Sequence, residues 1–382
     1  MRPITEEKFE SILEFLEEKK IDVLMITDYE NSRNVDLQYI SGHPTDATIL
    51  INSSGETILI PWDVPLAEKH SEVDEIINPA NFSFNVSLAM KDLFENRWKK
   101  SSITVGVPSM TTYGSIIKMK ALIPGIKYFE EPIQITQLFE KLRATKTALE
   151  IKKLLKAAQI GTRTINDIQD FCINTPDGTE KDLSFLVRKR MAEYGADDVS
   201  FETLVANSSR AHEIHQHPFA SDQRFNLPGL ALIDFGAKFE GYCSDITVPI
   251  SFGKLSDNQN KIRELTIKAY EAAIETIDID VPLWKIHDTA EQILKKGGFE
   301  MPYSLGHGLG LTVHDSPFIS RKPTDDYSKK HWKEETIQDG MVFTIEPGAY
   351  KQGLGGQRLE NDVLIRNGKV EIITKSQPFT VM

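Results

Sequence analysis

The stretch 230-LALIDFGAKFEGYCSDITV-248 sets two aspartates, Asp234 and Asp245, among residues that otherwise read as buried strand. Leu230, Leu232 and Ile233 run into the first, and Ile246 and Val248 follow the second. A hairpin turning at Phe239-Glu240 sets the two aspartates directly opposite each other on one face of a sheet. Opposed side chains have Cβ atoms roughly 5 Å apart, where like charges are destabilising. Two readings fit: loop aspartates beside a turn that lies elsewhere, or a pair with a cation between them.

The chain has 382 residues, enough for two domains of ordinary size. It is 40% hydrophobic and 26% charged, with no apolar run long enough for a membrane-spanning helix, so the expected class is a globular protein without a membrane partner. The opening 1-MRPITEEKFESILEFLEEKK-20 is not a signal peptide: Phe9, Ile12, Leu13 and Leu16 fall at helical spacing between acidic residues, the pattern of an amphipathic surface helix. Only two cysteines, Cys172 and Cys243, argue against a disulfide framework and for a cytoplasmic location. A net charge of −12 with only short basic patches excludes nucleic acid as a partner.

Up to about residue 135 the pattern alternates between helix and strand, including 22-DVLMITD-28 and a hairpin over 47–61 with Ser54-Gly55 at its turn. This predicts an α/β domain over 1–140. A boundary near 135–145 precedes 141-KLRATKTALEIKKLLKAAQIGTRTI-165, which reads as one helix, and the second domain runs from 141 to 382. Within it, helices are expected near 181–193, 258–277 and 284–296, the last closed by Lys295, Lys296 and Gly297. The acidic-hairpin arrangement recurs in 341-MVFTIEPGAYKQGLGGQRLENDVLI-365. Glu346 ends one apolar run, Glu360 begins the return, and the midpoint between them is Gly353 at a glycine-rich turn. Two helix-plus-hairpin units suggest a pseudo-duplicated α+β fold with one shared site.

Four carboxylates in one interior pocket are prohibitive without counter-charge, whereas two divalent cations neutralise them. A carboxylate-rich set favours Mn²⁺, with Co²⁺, Fe²⁺ and Zn²⁺ as alternatives. A nitrogen ligand is expected in 304-SLGHGLGLTVHDSPF-318, where glycines flank His307 and His314 follows beside Asp315. The segment 212-HEIHQHP-218 fails as a zinc-protease motif because position 216 is Gln and Pro218 closes it. No GxSxG elbow for a serine hydrolase occurs.

IDFGAKFEGYCSDIT, GHGLGLTVHDSP, FTIEPGAY and RLENDV, in this order, resemble the signature of the pita-bread metallopeptidases. Within that family the match is to the Xaa-Pro peptidases, aminopeptidase P and prolidase, and it covers the whole chain. The resemblance implies a creatinase-like N-terminal domain and a pita-bread catalytic domain. It implies two metals held by Asp234, Asp245, His307, Glu346 and Glu360, with Asp245 and Glu360 bridging, and a metal-bridging hydroxide attacking the carbonyl before proline. Glu346 would also take a proton from that water, and His314 would contact the scissile peptide. His215 would be a second substrate contact, although its surroundings depart from the family pattern. Arg358 would orient Glu360. His212 and His217 read as surface histidines or supports of the site.

Where many relatives have R-x-E-D, this chain has Asn361, which leaves ligand spacing intact. Where some prolidases have an arginine after H-[DE]-x-P, it has Phe318, with Arg321 later, a lean toward longer peptides. Trp62 and Tyr39 are candidates for capping the site, and a homodimer is expected from the resemblance. Two other readings are a creatinase-like hydrolase of a small C–N bond, which works without metal, and a catalytically silent binding module. The complete ligand set counts against both.

Overall fold

The computed structural model describes residues 3–30, 32–100 and 102–382, so Met1 and Arg2 of the opening stretch lie outside it. The chain divides into two compact units, Met1–Leu142 and Arg143–Met382.

The first unit is built on a six-stranded mixed sheet. Its strands are β1 (Val23–Asp28), β2 (Ala47–Asn52), β3 (Thr57–Pro61), β4 (Glu75–Ile76), β5 (Ile103–Gly106) and β6 (Ile126–Tyr128), in spatial order β4-β3-β2-β1-β5-β6. The opening helix spans Glu6–Glu18; Thr5 caps it, and it buries Phe9, Ile12 and Leu16 as their spacing requires. Tyr39 is buried and its hydroxyl donates to the Leu142 carbonyl at 2.8 Å. That residue is a packing element rather than a cap over substrate, a correction to the sequence reading. Trp62 is exposed and lies against Phe84.

In the second unit the helix expected over 141–165 is interrupted. One helix ends at Ala144, and the next spans Ala148–Asn174. Thr147 and Glu150 form a capping box that restarts the helix, and the Lys146 amide is drawn away to the Gly340 carbonyl at 2.8 Å. Helices Glu180–Glu193, Asp257–Thr276 and Leu283–Lys296 follow, within a residue or two of expectation.

The strands of this unit are β7 (Asp198–Val199), β8 (Leu204–Ala206), β9 (Gly229–Phe235), β10 (Ala237–Phe239), β11 (Tyr242–Cys243), β12 (Ile246–Phe252), β13 (Gly306–Gly308), β14 (Asp315–Ile319), β15 (Val342–Ile345), β16 (Gly348–Lys351), β17 (Gly355–Arg358), β18 (Asn361–Arg366), β19 (Lys369–Ile372) and β20 (Phe379–Val381). Two larger sheets, ordered β20-β12-β9-β8 and β14-β13-β15-β18-β19, carry the two acidic hairpins. Each has its own apolar core. Ile160, Ile168, Leu183 and Val187 pack with Ile233 and Val248, while Ile262, Ile286 and Leu294 pack with Phe343 and Val363. The two hairpins are stitched where they meet: the Glu360 amide donates to the Thr247 carbonyl, and the Asp245 amide to Asp362.

The first hairpin turns one residue later than the sequence suggested. Glu240 and Gly241 both have positive φ, 46° and 85°, as a two-residue primed turn demands. Asp234 therefore faces Thr247 rather than Asp245, and Asp245 sits diagonally beside it. The second hairpin turns where expected: Ile345 pairs with Asn361 and Gly348 with Arg358, so Glu346 and Glu360 occupy the intervening register.

Close strand approach beside the second hairpin needs a bare backbone. A Cβ on Gly306 would lie 1.9 Å from the Thr344 carbonyl oxygen, whereas one on Gly114 would meet nothing within 4 Å. Gly306→Ala should cost about 2–3 kcal/mol or prevent folding, and Gly114→Ala, in a helix, should gain about 0.5–1 kcal/mol. Urea unfolding of both variants checks this, and an unchanged midpoint for Gly306→Ala would contradict the packing.

Candidate metal centre

The residues expected as metal ligands or catalytic groups line a single cavity of about 500 Å³: Asp234, Asp245, His307, Glu346, Glu360, His314, His215 and Arg358. Asp234 lies near the end of β9, and Asp245 immediately precedes β12. Glu346 follows β15, Glu360 precedes β18, and His307 is the central residue of β13. All five donors thus sit on or beside strands, whose backbones fix where the side chains start.

The His307 Nε2 atom stands 3.6 Å from Asp245 Oδ2 and 3.4 Å from Glu346 Oε1. Ligand atoms of Asp245, His307 and Glu360 all lie within 4.8 Å of one another. Three buried oxygens there, Asp234 Oδ1, Asp245 Oδ1 and Glu360 Oε1, have no hydrogen-bond partner. Leaving such atoms unpaired in an interior is costly. Oxygens converging with a ring nitrogen at this spacing fit divalent cations.

The electrostatics say the same. Burial, then repulsion from Glu360, Asp234 and Glu346, pushes the Asp245 carboxyl well above the usual range. Burial and Glu360 do likewise to Glu346. Glu360 is pushed up to about 8 by burial and by Asp234. The imidazole of His307 offers no counter-charge: burial, and then its neighbour His314, lowers it to about 4, which keeps it neutral and able to ligate. The two rings lie 4.3 Å apart, edge to face. Burial also lowers His314, and nearby His215 adds to the effect.

The resident cation is Arg358, and its role differs from expectation. Its Nη2 pairs with Asp234, its Nε donates to Thr247 Oγ1 at 2.9 Å, and its Nη1 donates to Tyr350 at 2.9 Å. Glu360 is reached only through Thr247, whose hydroxyl donates to its Oε2 at 2.6 Å. Arg358 thus holds Asp234 directly, and Thr247 aims Glu360. Thr247 and Asp362 were missed from the sequence. Each follows a nominated carboxylate by two residues and so shares its face of the strand, which is the signal that would have found them. His212 is half-buried and His217 exposed, and neither lines the cavity. Residues 212–218 form no helix, so the rejected HExxH reading stays rejected.

A second group, His287, Asp288 and Glu291, also brings ligand-type atoms within 4.8 Å. There Glu291 already has cations, Lys295 at 2.9 Å and Arg321 at 3.2 Å, so that cluster lacks the uncompensated charge of the first.

Residues 152–367 match the model of metallopeptidase family M24, and residues 8–145 match the creatinase/prolidase N-terminal domain. The chain belongs to metallopeptidase family M24. Among the relatives of this M24 chain is an Xaa-Pro dipeptidase of Pyrococcus horikoshii, 28% identical over 98% of each sequence. An uncharacterised peptidase of Staphylococcus aureus is 31% identical over 68% of this chain and 70% of its own. The fold superposes on the prolidase from Pyrococcus horikoshii with TM-score 0.82 at 27% identity, covering 97% of this chain and 99% of that one. It superposes on an X-Pro aminopeptidase from Thermotoga maritima with TM-score 0.79 at 26% identity, covering 98% and 99%.

The raised carboxyls fix how the metal-free protein responds to pH. Folded Glu360 keeps its proton up to about pH 8, while the unfolded chain releases it near the ordinary value, so stability falls as pH rises through that interval. His307 acts oppositely, but only below its unfolded value of about 6.5. Between about pH 6.5 and 8 the carboxyls act alone. Chelator-stripped protein should lose thermal stability across this window, Glu360→Gln should flatten the trend, and added divalent metal should reverse it. A midpoint that rises through the window would contradict the crowded burial of these groups.

Proposed function

We infer that the chain is a two-metal exopeptidase that hydrolyses the peptide bond before proline. The observation that carries this is the convergence of four carboxylates and a neutral imidazole, three of their oxygens unpartnered, in a cavity that also holds two further histidines. Relatives named Xaa-Pro dipeptidase and X-Pro aminopeptidase support it.

Asp234, Asp245, His307, Glu346 and Glu360 would hold the ions. Bound there, two divalent cations supply Lewis acidity and a water activated for attack. Four carboxylates and one guanidinium leave three negative charges, and two divalent cations turn this into one positive charge, suited to the oxyanion that develops on a scissile carbonyl. Glu346 would also take and return the proton of the attacking water, the role that the resemblance implies for it. His314 would donate to the scissile peptide, with His215 beside it. Proline makes a tertiary amide without an N–H, and the wall offered by Ile214, Phe219 and Phe318 asks for no such donor.

Manganese is the metal we propose first, because oxygen donors outnumber nitrogen four to one. The catalytic domain would run from 141 to 382 behind a creatinase-like domain of 1–140. A cytoplasmic location fits two free, buried cysteines, and a homodimer rests on the resemblance alone.

Activity on an Xaa-Pro peptide should vanish with chelator and return best with Mn²⁺ or Co²⁺; full turnover by rigorously metal-free protein would instead favour a creatinase-like hydrolase. His314→Ala should keep both metals while turnover falls by roughly 10²–10⁴. His307→Ala should lose metal as well. Elemental analysis beside turnover separates the two, and metal-free or near-normally active His314→Ala protein would reverse the assignment.

A further inference from the structure

Carboxylates and histidines aside, the lining of the metal cavity is mainly apolar: Phe201, Leu204, Ile214, Phe219 and Phe318. One guanidinium reaches it, that of Arg358, and each of its three nitrogens already has a partner, in Thr247, Tyr350 and Asp234. Among the described residues no lysine lines it, and the one further charged group there besides this guanidinium, the histidines and the acidic quartet is the exposed carboxylate of Glu202.

Phe318 has a decisive position. It is the cross-strand partner of His307, so the two side chains leave the sheet on the same face. Its ring, 48% exposed, therefore stands next to the imidazole nominated as a ligand. A dipeptide bound for cleavage before proline carries its free carboxylate on the prolyl Cα, two bonds beyond the scissile nitrogen. That charge would enter the cavity within a side chain's reach of the reacting bond. It would meet aromatic rings and Glu202 instead of a cation, and an unpaired carboxylate taken from water there weakens binding. A proline already joined to a following residue brings no charge to the same place.

We propose that the substrates are oligopeptides whose proline is followed by another residue, that free Xaa-Pro dipeptides are poor substrates, and that Phe318 sets this choice. The proposal rests on the Xaa-Pro peptidase reading above, and it separates this chain from the relatives named dipeptidases.

The test uses the full chain loaded with Mn²⁺ and three probes: Ala-Pro, Ala-Pro-amide and Ala-Pro-Ala. Wild-type kcat/KM should be roughly 10- to 100-fold higher for the amide and the tripeptide than for the dipeptide. Phe318→Arg supplies a fork that can take a carboxylate, and it should shift the dipeptide-to-amide ratio toward the dipeptide by a similar factor. Phe318→Lys serves where the arginine variant does not fold. A wild-type enzyme that cleaves the dipeptide as fast as its amide overturns the proposal while leaving the peptidase reading intact. An unchanged ratio in a folded, metal-loaded variant overturns the role given to Phe318. Cleavage of none of the three probes by metal-loaded protein brings down the peptidase reading and this proposal together.

Discussion

Four carboxylates crowded into one buried pocket are the constraint around which the second unit is arranged. Burial and crowding make Asp245, Glu346 and Glu360 harder to ionise, while Asp234 is paired with Arg358. The fold answers with rigidity: the acids start from strands, and the strands belong to two hairpins hydrogen-bonded to each other through Thr247, Glu360, Asp245 and Asp362. Each hairpin rests on its own apolar core, so the energy that holds the acids together is the hydrophobic burial of their strand neighbours, such as Ile233, Ile246, Ile345 and Leu359. A single buried guanidinium takes part of the charge, and the rest is left for metal.

The division of labour among the bases follows from depth. His307 is buried and neutral, which suits it to ligate a metal and makes it a poor source of positive charge. His314 meets it edge to face, and His314 and His215 are both exposed on the cavity wall. The one permanently charged base lining the cavity, Arg358, is kept where it props Asp234 and Thr247, each of its nitrogens already partnered.

Much of this was legible in the sequence because acids inside apolar strand runs are conspicuous. The second hairpin was read in register, since the midpoint between its two acids fell on Gly353 within a glycine-rich turn. The first was misread by one turn position: Phe239-Glu240 looked central, but only Glu240-Gly241 supplies the glycine that a primed turn accepts. The partner of Arg358 was not legible, because the sequence gives its spacing to Glu360 and no trace of Asp234 across the sheet. Thr247 was overlooked because threonine is common in strands, although its place two residues after Asp245 on the same face pointed to it. The capping box at Thr147 and Glu150 was there to be read, and the apolar periodicity on either side concealed it.

The amide of Glu360 donating to the carbonyl of Thr247 joins one half of the second unit to the other. Each half brings two of the four acids, and only their docking creates a place where a divalent ion finds enough oxygens. A chain that has folded one half, or that is being unravelled from one end, therefore holds no working centre. For a peptidase this is a form of safety: hydrolytic capacity arrives in a single step with the finished fold, and a damaged or half-made molecule is simply inert.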